Sequence, residues 1–297
     1  MPSQAGRSFV VTGAGGLGYE TSLALALAGA EVIIAGRNAD KGAEAVAKIK
    51  AAAPAAMIAF ELLDLASLAS IEAFAARLKA QRTSLDVLIN NAAVMAPPKR
   101  QVTADGFELQ LGTNYLGHFA LTARLLPLLR AGRSPRVISV SSIAARDGFL
   151  DFDDLEAQKA YKPMGVYSQS KLANLMFAFE LQRRSDAQHW GVTSIAAHPG
   201  VSRTELIPNS MGTLSGFGLM RLFLGPILFQ SAAHGAWPTL FAATAPDAQP
   251  GGFYGPRRMN ELRGHPTEAK VPSLAADTTA AARLWSESER LTHVVFA

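Results

Sequence analysis

The stretch Thr12-Gly13-Ala14-Gly15-Gly16-Leu17-Gly18 decides how the rest of the chain is read. It follows directly on the apolar run Phe9-Val10-Val11 and leads into a helix-length segment from Tyr19 to Ala28, which Gly29 ends. Gly13, Gly15 and Gly18 fit the spacing G-x-G-x-x-G between a strand and a helix. A sharp strand-to-helix turn needs glycine, and so does close approach of a pyrophosphate to backbone. The helix N-terminus then offers amides and a partial positive charge. Glycine-rich turns are common, and the flanking strand and helix are what mark this one as a dinucleotide site.

The same alternation continues outward from that turn. Val32 to Ala35, Met57 to Phe60, Val87 to Ile89, Val137 to Val140 and Thr193 to Ala197 read as further strands. Between them lie helical segments at about Asp40 to Ala52, with Asn38 in position to cap it, Ser67 to Ala80, Phe107 to Leu129, and Gly165 to Arg184. Strands apolar on both faces and separated by helices describe a parallel sheet covered on both sides. The expectation is an α/β fold: one doubly wound, Rossmann-type domain over residues 1–297, with no internal repeat and no linker.

The chain has 297 residues, 49% apolar and 18% charged, which is ample for a large core and argues against disorder. A net charge of +4, with no basic block carrying interleaved aromatics, gives no support for nucleic-acid binding. There are no cysteines, so disulfides, thiolate metal sites and cysteine nucleophiles are all excluded. His118, His189, His198, His234, His265 and His293 lie far apart, and no metal site is expected. Met1 to Ser8 carries no signal-peptide core. The apolar run Leu214 to Phe229 is cut by Arg221, Pro226 and glycines and is too short to span a bilayer. A cytoplasmic location without a transmembrane segment is the expectation.

The end of the second strand selects between dinucleotides. A carboxylate there would hold the ribose 2′-hydroxyl of NAD, whereas the sequence reads Ala35-Gly36-Arg37-Asn38. The guanidinium fork of Arg37 suits a 2′-phosphate, so NADP(H) is preferred over NAD(H). The competing reading is a solvated surface arginine. Asp64 follows the third strand, where it can touch an adenine edge or cap the next helix.

Tyr167-Ser168-Gln169-Ser170-Lys171 is the sole Tyr-x-x-x-Lys of the chain. On a helix these two side chains share a face, and a nearby ammonium favours phenolate, drawing the tyrosine down from about 10. Tyr167 is then a general acid in reduction and a general base in oxidation. Ser141-Ser142 ends the fifth strand, and only one of two adjacent strand residues can face a site.

With these pieces the chain resembles the short-chain dehydrogenase/reductase family over nearly its whole length. The motifs stand in family order: Thr12 to Gly18, Asp64-Leu65, Asn90-Asn91-Ala92-Ala93, Asn114, Ser142, Tyr167 with Lys171, and Pro199-Gly200 followed by Thr204. The resemblance extends to a retinol-dehydrogenase-like branch through Gly18-Tyr19-Glu20-Thr21, Asn114-Tyr115-Leu116-Gly117-His118-Phe119 and His198-Pro199-Gly200-Val201. It implies that Ser142 polarises a carbonyl, Tyr167 exchanges the proton and Lys171 holds the nicotinamide ribose. It further implies that Asn114 anchors a relay water. Gly13, Gly15, Gly16, Leu17, Gly18, Leu65, Asn91, Ala92, Pro199, Gly200, Val201 and Thr204 would line the cofactor. Two departures stand out: the glycine loop is one residue shorter than the family's usual Thr-Gly-x-x-x-Gly-x-Gly, and Ala93 replaces a customary glycine.

The implied activity is alcohol–carbonyl interconversion by hydride transfer. The alternative is a non-catalytic NADP(H) sensor of the same fold, against which the Asn-Ser-Tyr-Lys set argues. Residues from about 204 to 235 combine apolar side chains with Pro208, Gly212, Gly216, Gly218, Gly225 and Pro226. They read as a substrate lid over a hydrophobic alcohol, aldehyde or ketone, or as the contact surface of a homo-oligomer.

Overall fold

The computed structural model describes residues 1–201 and 230–297. Each apolar run is a strand: β1 (Ser8–Thr12), β2 (Glu31–Gly36), β3 (Met57–Leu62), β4 (Val87–Asn90), β5 (Arg136–Val140) and β6 (Thr193–Ala197). The helices between them are α1 (Gly16–Leu27), α2 (Ala39–Ala52), α3 (Leu68–Gln81), α4 (Gly117–Arg130) and α5 (Pro163–Ala187). Asn38 caps α2 by accepting from Lys41 N at 2.9 Å, and Ser67 caps α3 by accepting from Ser70 N at 3.2 Å.

Alternation along the strands divides the core in two. Val10, Ile33 and Leu88 face α3, α4, α5 and the C-terminal helix Thr278–Thr292, where Phe119, Phe177 and Trp285 pack with ring centroids 5.0–5.8 Å apart. Phe9, Val11, Ile34 and Ile89 face α1, α2 and the helix Trp237–Thr244 on the opposite side. The fold is therefore doubly wound, as expected.

Three features depart from the sequence reading. The sheet has eight strands in the order β3-β2-β1-β4-β5-β6-β7-β8, adding β7 (Phe253–Arg258) and β8 (Arg263–Glu268). Gly255, Pro256, Gly264 and Pro266 hide these strands from a periodicity search, yet proline is tolerated toward a sheet edge. β8 runs antiparallel to β7, so the sheet is not wholly parallel. Finally, the segment read as one helix from Phe107 contains a π-helical turn, Leu111–Leu116, before α4 begins.

Strand order reverses between β1 and β4, and both strands end on the same side of the sheet. In an open α/β sheet such a reversal leaves a crevice outside the carboxyl ends of the strands. Among the described residues no helix is long and apolar enough to cross a membrane.

Candidate active site

The crevice begins at the glycine loop. β1 ends at Thr12, and Gly13 turns the chain with a φ of +95°, a value open to glycine. Gly15 is the extended residue from which α1 starts, so the helix opens at Gly16, three residues earlier than its apolar periodicity suggests. Gly18 is buried beneath the loop, where a Cβ would stand 2.1 Å from the Gly13 carbonyl oxygen. The shorter loop thus folds with its helix drawn tightly under the turn.

The end of β4 is tied to this loop. Asn91 N and Ala92 N donate to Thr12 Oγ1 at 2.8 and 2.9 Å, and Asn91 Nδ2 donates to the Thr12 carbonyl at 2.8 Å. One cavity lies over the loop and is bordered by Gly13, Gly15, Arg37, Asp64, Leu65 and Ala92. Arg37 is exposed at its rim, beside Lys41 from the first turn of α2. Lys41 also borders a neighbouring hollow with Gly16 and Tyr19. Sequence reading missed this lysine, although its place one turn after the Asn38 cap was a usable signal. Asp64 borders the cavity and does not cap α3, which Ser67 does; its Oδ1 instead accepts from Ala66 N at 3.0 Å, tightening the loop ahead of that helix.

A second cavity adjoins the first at Ala93, which lines both. It brings together Ser142, Tyr167 and Lys171 with Leu17, Asn91, Pro199, Gly200 and Val201, residues spread over most of the chain. Met95, Ile143 and Met164 add apolar wall that no sequence motif marked. Thr204 and the run from Leu206 to Phe229 lie outside the described residues. Of the stretch read as a lid, the described part is residues 230–235, with a short helix Ala232–Gly235 capped by Ser231.

The two serines separate cleanly. Ser141 Oγ donates to the Lys171 carbonyl at 2.7 Å and is buried. Ser142 borders the same cavity as the Tyr167 phenol, and its oxygen accepts from Ala144 N at 3.2 Å.

Tyr167 and Lys171 share a face of α5, with Lys171 Nζ 5.9 Å from the phenol ring centroid. Nζ donates to the Val140 carbonyl at 3.0 Å. Burial pulls the Lys171 ammonium down to about 7, because the charged form loses its hydration. The expected lowering of Tyr167 is not met in the protein alone. Burial raises the phenol, and the Ser142 hydroxyl only partly opposes it. A lysine that is itself easily neutralised offers little field to its neighbour.

Asn114 sits in the π-helical turn and is fully buried. Its Oδ1 accepts from Val94 N at 2.8 Å, and its Nδ2 donates to the Val94 carbonyl at 2.9 Å and to Ser170 Oγ at 3.0 Å. Those bonds pin the strip after β4 to α5.

A family model described as short chain dehydrogenase matches residues 7–212. The chain belongs to that family. It is an oxidoreductase. Mouse polyprenol dehydrogenase is 43% identical, over 98% of this chain and 85% of its own. Mouse retinol dehydrogenase 13 is 42% identical, over 100% of this chain and 87% of its own. A crystal structure of a protein from Mycobacterium paratuberculosis superposes with a TM-score of 0.83 at 39% identity, covering 100% of this chain and 97% of that one. The retinol-dehydrogenase-like branch is therefore the right part of the family.

Proposed function

We propose that this enzyme transfers hydride between NADP(H) and an apolar alcohol, aldehyde or ketone, with Tyr167 exchanging the proton. The observation that carries the reading is the meeting of Tyr167, Ser142 and Lys171 in an apolar-walled cavity that adjoins the glycine-loop crevice. The residues suit a dinucleotide. The N-terminus of α1 is bare of acidic side chains, the turn has no Cβ at Gly13 or Gly15, and the two cavities that adjoin at Ala93 extend from Arg37 to the catalytic group. NADPH would supply the hydride, with its adenosine end near Arg37 and Lys41 and its nicotinamide against Pro199 to Val201.

The chain's own groups account for the rest. In reduction the Tyr167 hydroxyl donates its proton to the developing alkoxide, and in oxidation its oxygen receives one. Ser142, which shares the cavity with that phenol, orients the same oxygen. The Lys171 ammonium, held by Val140, faces the ring and would gain its proton more readily beside bound phosphate and ribose hydroxyls. Leu17, Met95, Ile143 and Met164 keep water from the reacting carbon and favour an apolar substrate. Relatives named for polyprenol and retinol are consistent with that preference.

The test is NADPH absorbance followed over a panel of apolar aldehydes, ketones and alcohols, repeated with NADH. Turnover with NADPH and apolar carbonyls is expected, and a protein that binds NADPH without turning over any of them would favour the sensor.

A further inference from the structure

Behind the cavity, three charged or polar side chains from distant segments converge. His198 follows β6 directly, is 1% exposed, and continues the ladder by donating its backbone N–H to the Tyr254 carbonyl at 2.9 Å. Gly200 N donates to His198 Nδ1 at 3.2 Å. Nδ1 is therefore the lone-pair nitrogen, and Nε2 carries the hydrogen that it donates to Glu261 Oε2 at 2.8 Å. Arg146 Nη2 lies 2.7 Å from the same oxygen, as an ion contact rather than an aligned hydrogen bond. The other carboxylate oxygen accepts from Lys270 N at 2.9 Å. Burial opposes the charge on Glu261, but these partners outweigh it and hold the carboxyl at about 2.

The backbone around this cluster is arranged at some cost. Met259, Asn260 and Glu261 take φ values of +54°, +53° and +67° in succession, a left-handed turn that side chains disfavour. Leu262 then accepts from Val201 N at 3.0 Å. Gly200 lies so close that a Cβ would be 2.3 Å from the Leu262 oxygen, and a Cβ on Gly255 would be 2.0 Å from His198 Nε2. Arg146 belongs to the turn Ile143–Asp147 that Ser142 begins. One carboxylate thus connects both walls of the cavity, the Ser142 turn and the Pro199–Val201 strip.

We propose that Glu261 is a positioning residue for hydride transfer, fixing through His198 and Arg146 the distance between the nicotinamide strip and the Ser142 side of the cavity. The inference rests on the reading that the strip meets the nicotinamide, and its test separates the two. Binding of NADPH and of 2′,5′-ADP, which carries only the phosphorylated adenosine end, is measured for the wild-type protein, Glu261→Ala, Glu261→Gln and Arg146→Gln. Glu261→Ala is expected to weaken NADPH by about tenfold while 2′,5′-ADP binds as before. Glu261→Gln keeps an acceptor for His198 and should fall between. General loosening would weaken both ligands together, and that result overturns the proposal, as does unchanged NADPH binding. Should Glu261→Ala fail to fold, Arg146→Gln must still show the selective loss. A wild-type protein that binds 2′,5′-ADP and NADPH equally well would remove the nicotinamide reading itself.

Discussion

Thr12 Oγ1 lies 2.9 Å from Nε2 of His118, and this contact joins the end of β1 to the first turn of α4. Its direction is determined by the other ring nitrogen. Nδ1 is 2.9 Å from the Asn114 carbonyl, which can only accept, so the neutral ring carries its hydrogen there. Nε2 then accepts from the Thr12 hydroxyl, leaving the threonine oxygen to receive Asn91 N and Ala92 N. The imidazole links the glycine loop to the turn that holds Asn114.

That linkage has a pH signature. Burial lowers His118 to about 4, while the unfolded side chain titrates near 6.5. Between these values the unfolded chain binds a proton that the folded one refuses, so stability falls as pH drops from about 6.5 to about 4. The loss should be about 3 kcal/mol, at roughly 1.4 kcal/mol per unit. Urea unfolding of wild type and His118→Gln across this window measures it. Parallel pH curves for the two proteins would acquit His118.

The serines make a paired prediction. Ser142→Ala should reduce turnover by about 10²–10³-fold, since the hydroxyl that orients the reacting oxygen is gone. Ser141→Ala loses its bond to the Lys171 carbonyl and should cost about 1 kcal/mol of stability with little loss of turnover. Steady-state rates beside thermal melts distinguish them, and an interchange of the two phenotypes would refute the assignment.

Tyr167→Phe keeps the buried ring and should lower turnover by about 10²–10⁴-fold with nearly unchanged cofactor affinity. Lys171 behaves differently because its burial disfavours charge. Its folded value of about 7 lies below the ordinary 10.5, so the penalty is full below pH 7 and fades as pH rises toward 10.5. Lys171→Met should therefore abolish turnover yet raise the Tm of the cofactor-free protein at pH 6, measured by calorimetry. A lower Tm would mean that the bond to Val140 outweighs the desolvation of the ammonium.

Arg37 and Lys41 bear on the choice of dinucleotide. Removing one charge-assisted contact to a 2′-phosphate should cost about 1.5–3 kcal/mol. Titration of Arg37→Ala, and separately of Lys41→Ala, is expected to weaken NADP while leaving NAD binding where it was. An unchanged ratio in both variants would return these cations to the solvated surface.

Local pattern was enough for the frame. The six parallel strands, the helices between them and the glycine turn all follow from short-range periodicity and from the backbone freedom of glycine, which neighbours along the chain express directly. The cap at Asn38 was equally readable, since it acts three residues ahead, whereas Ser67, read as the start of its helix, is the cap of α3 in place of Asp64. β7 and β8 were not readable, because strands carrying proline and glycine near the end of a sheet take their order from the ladder beside them rather than from their own side chains.

What only the tertiary structure decided are relations between segments far apart in sequence. Motif spacing placed Ser141 and Ser142 together, but the fold turned one toward the Lys171 backbone and the other toward Tyr167. It also lowered Lys171, raised Tyr167 and bound the Asn114 amide to the Val94 backbone and the Ser170 hydroxyl, because burial and hydrogen-bond partners exist only once the sheet and α5 have packed. The link from Thr12 to His118 and the convergence of Arg146, His198 and Glu261 have the same origin. A residue's type and its local pattern are written in the chain, whereas its dielectric surroundings and its partners are properties of the packed molecule.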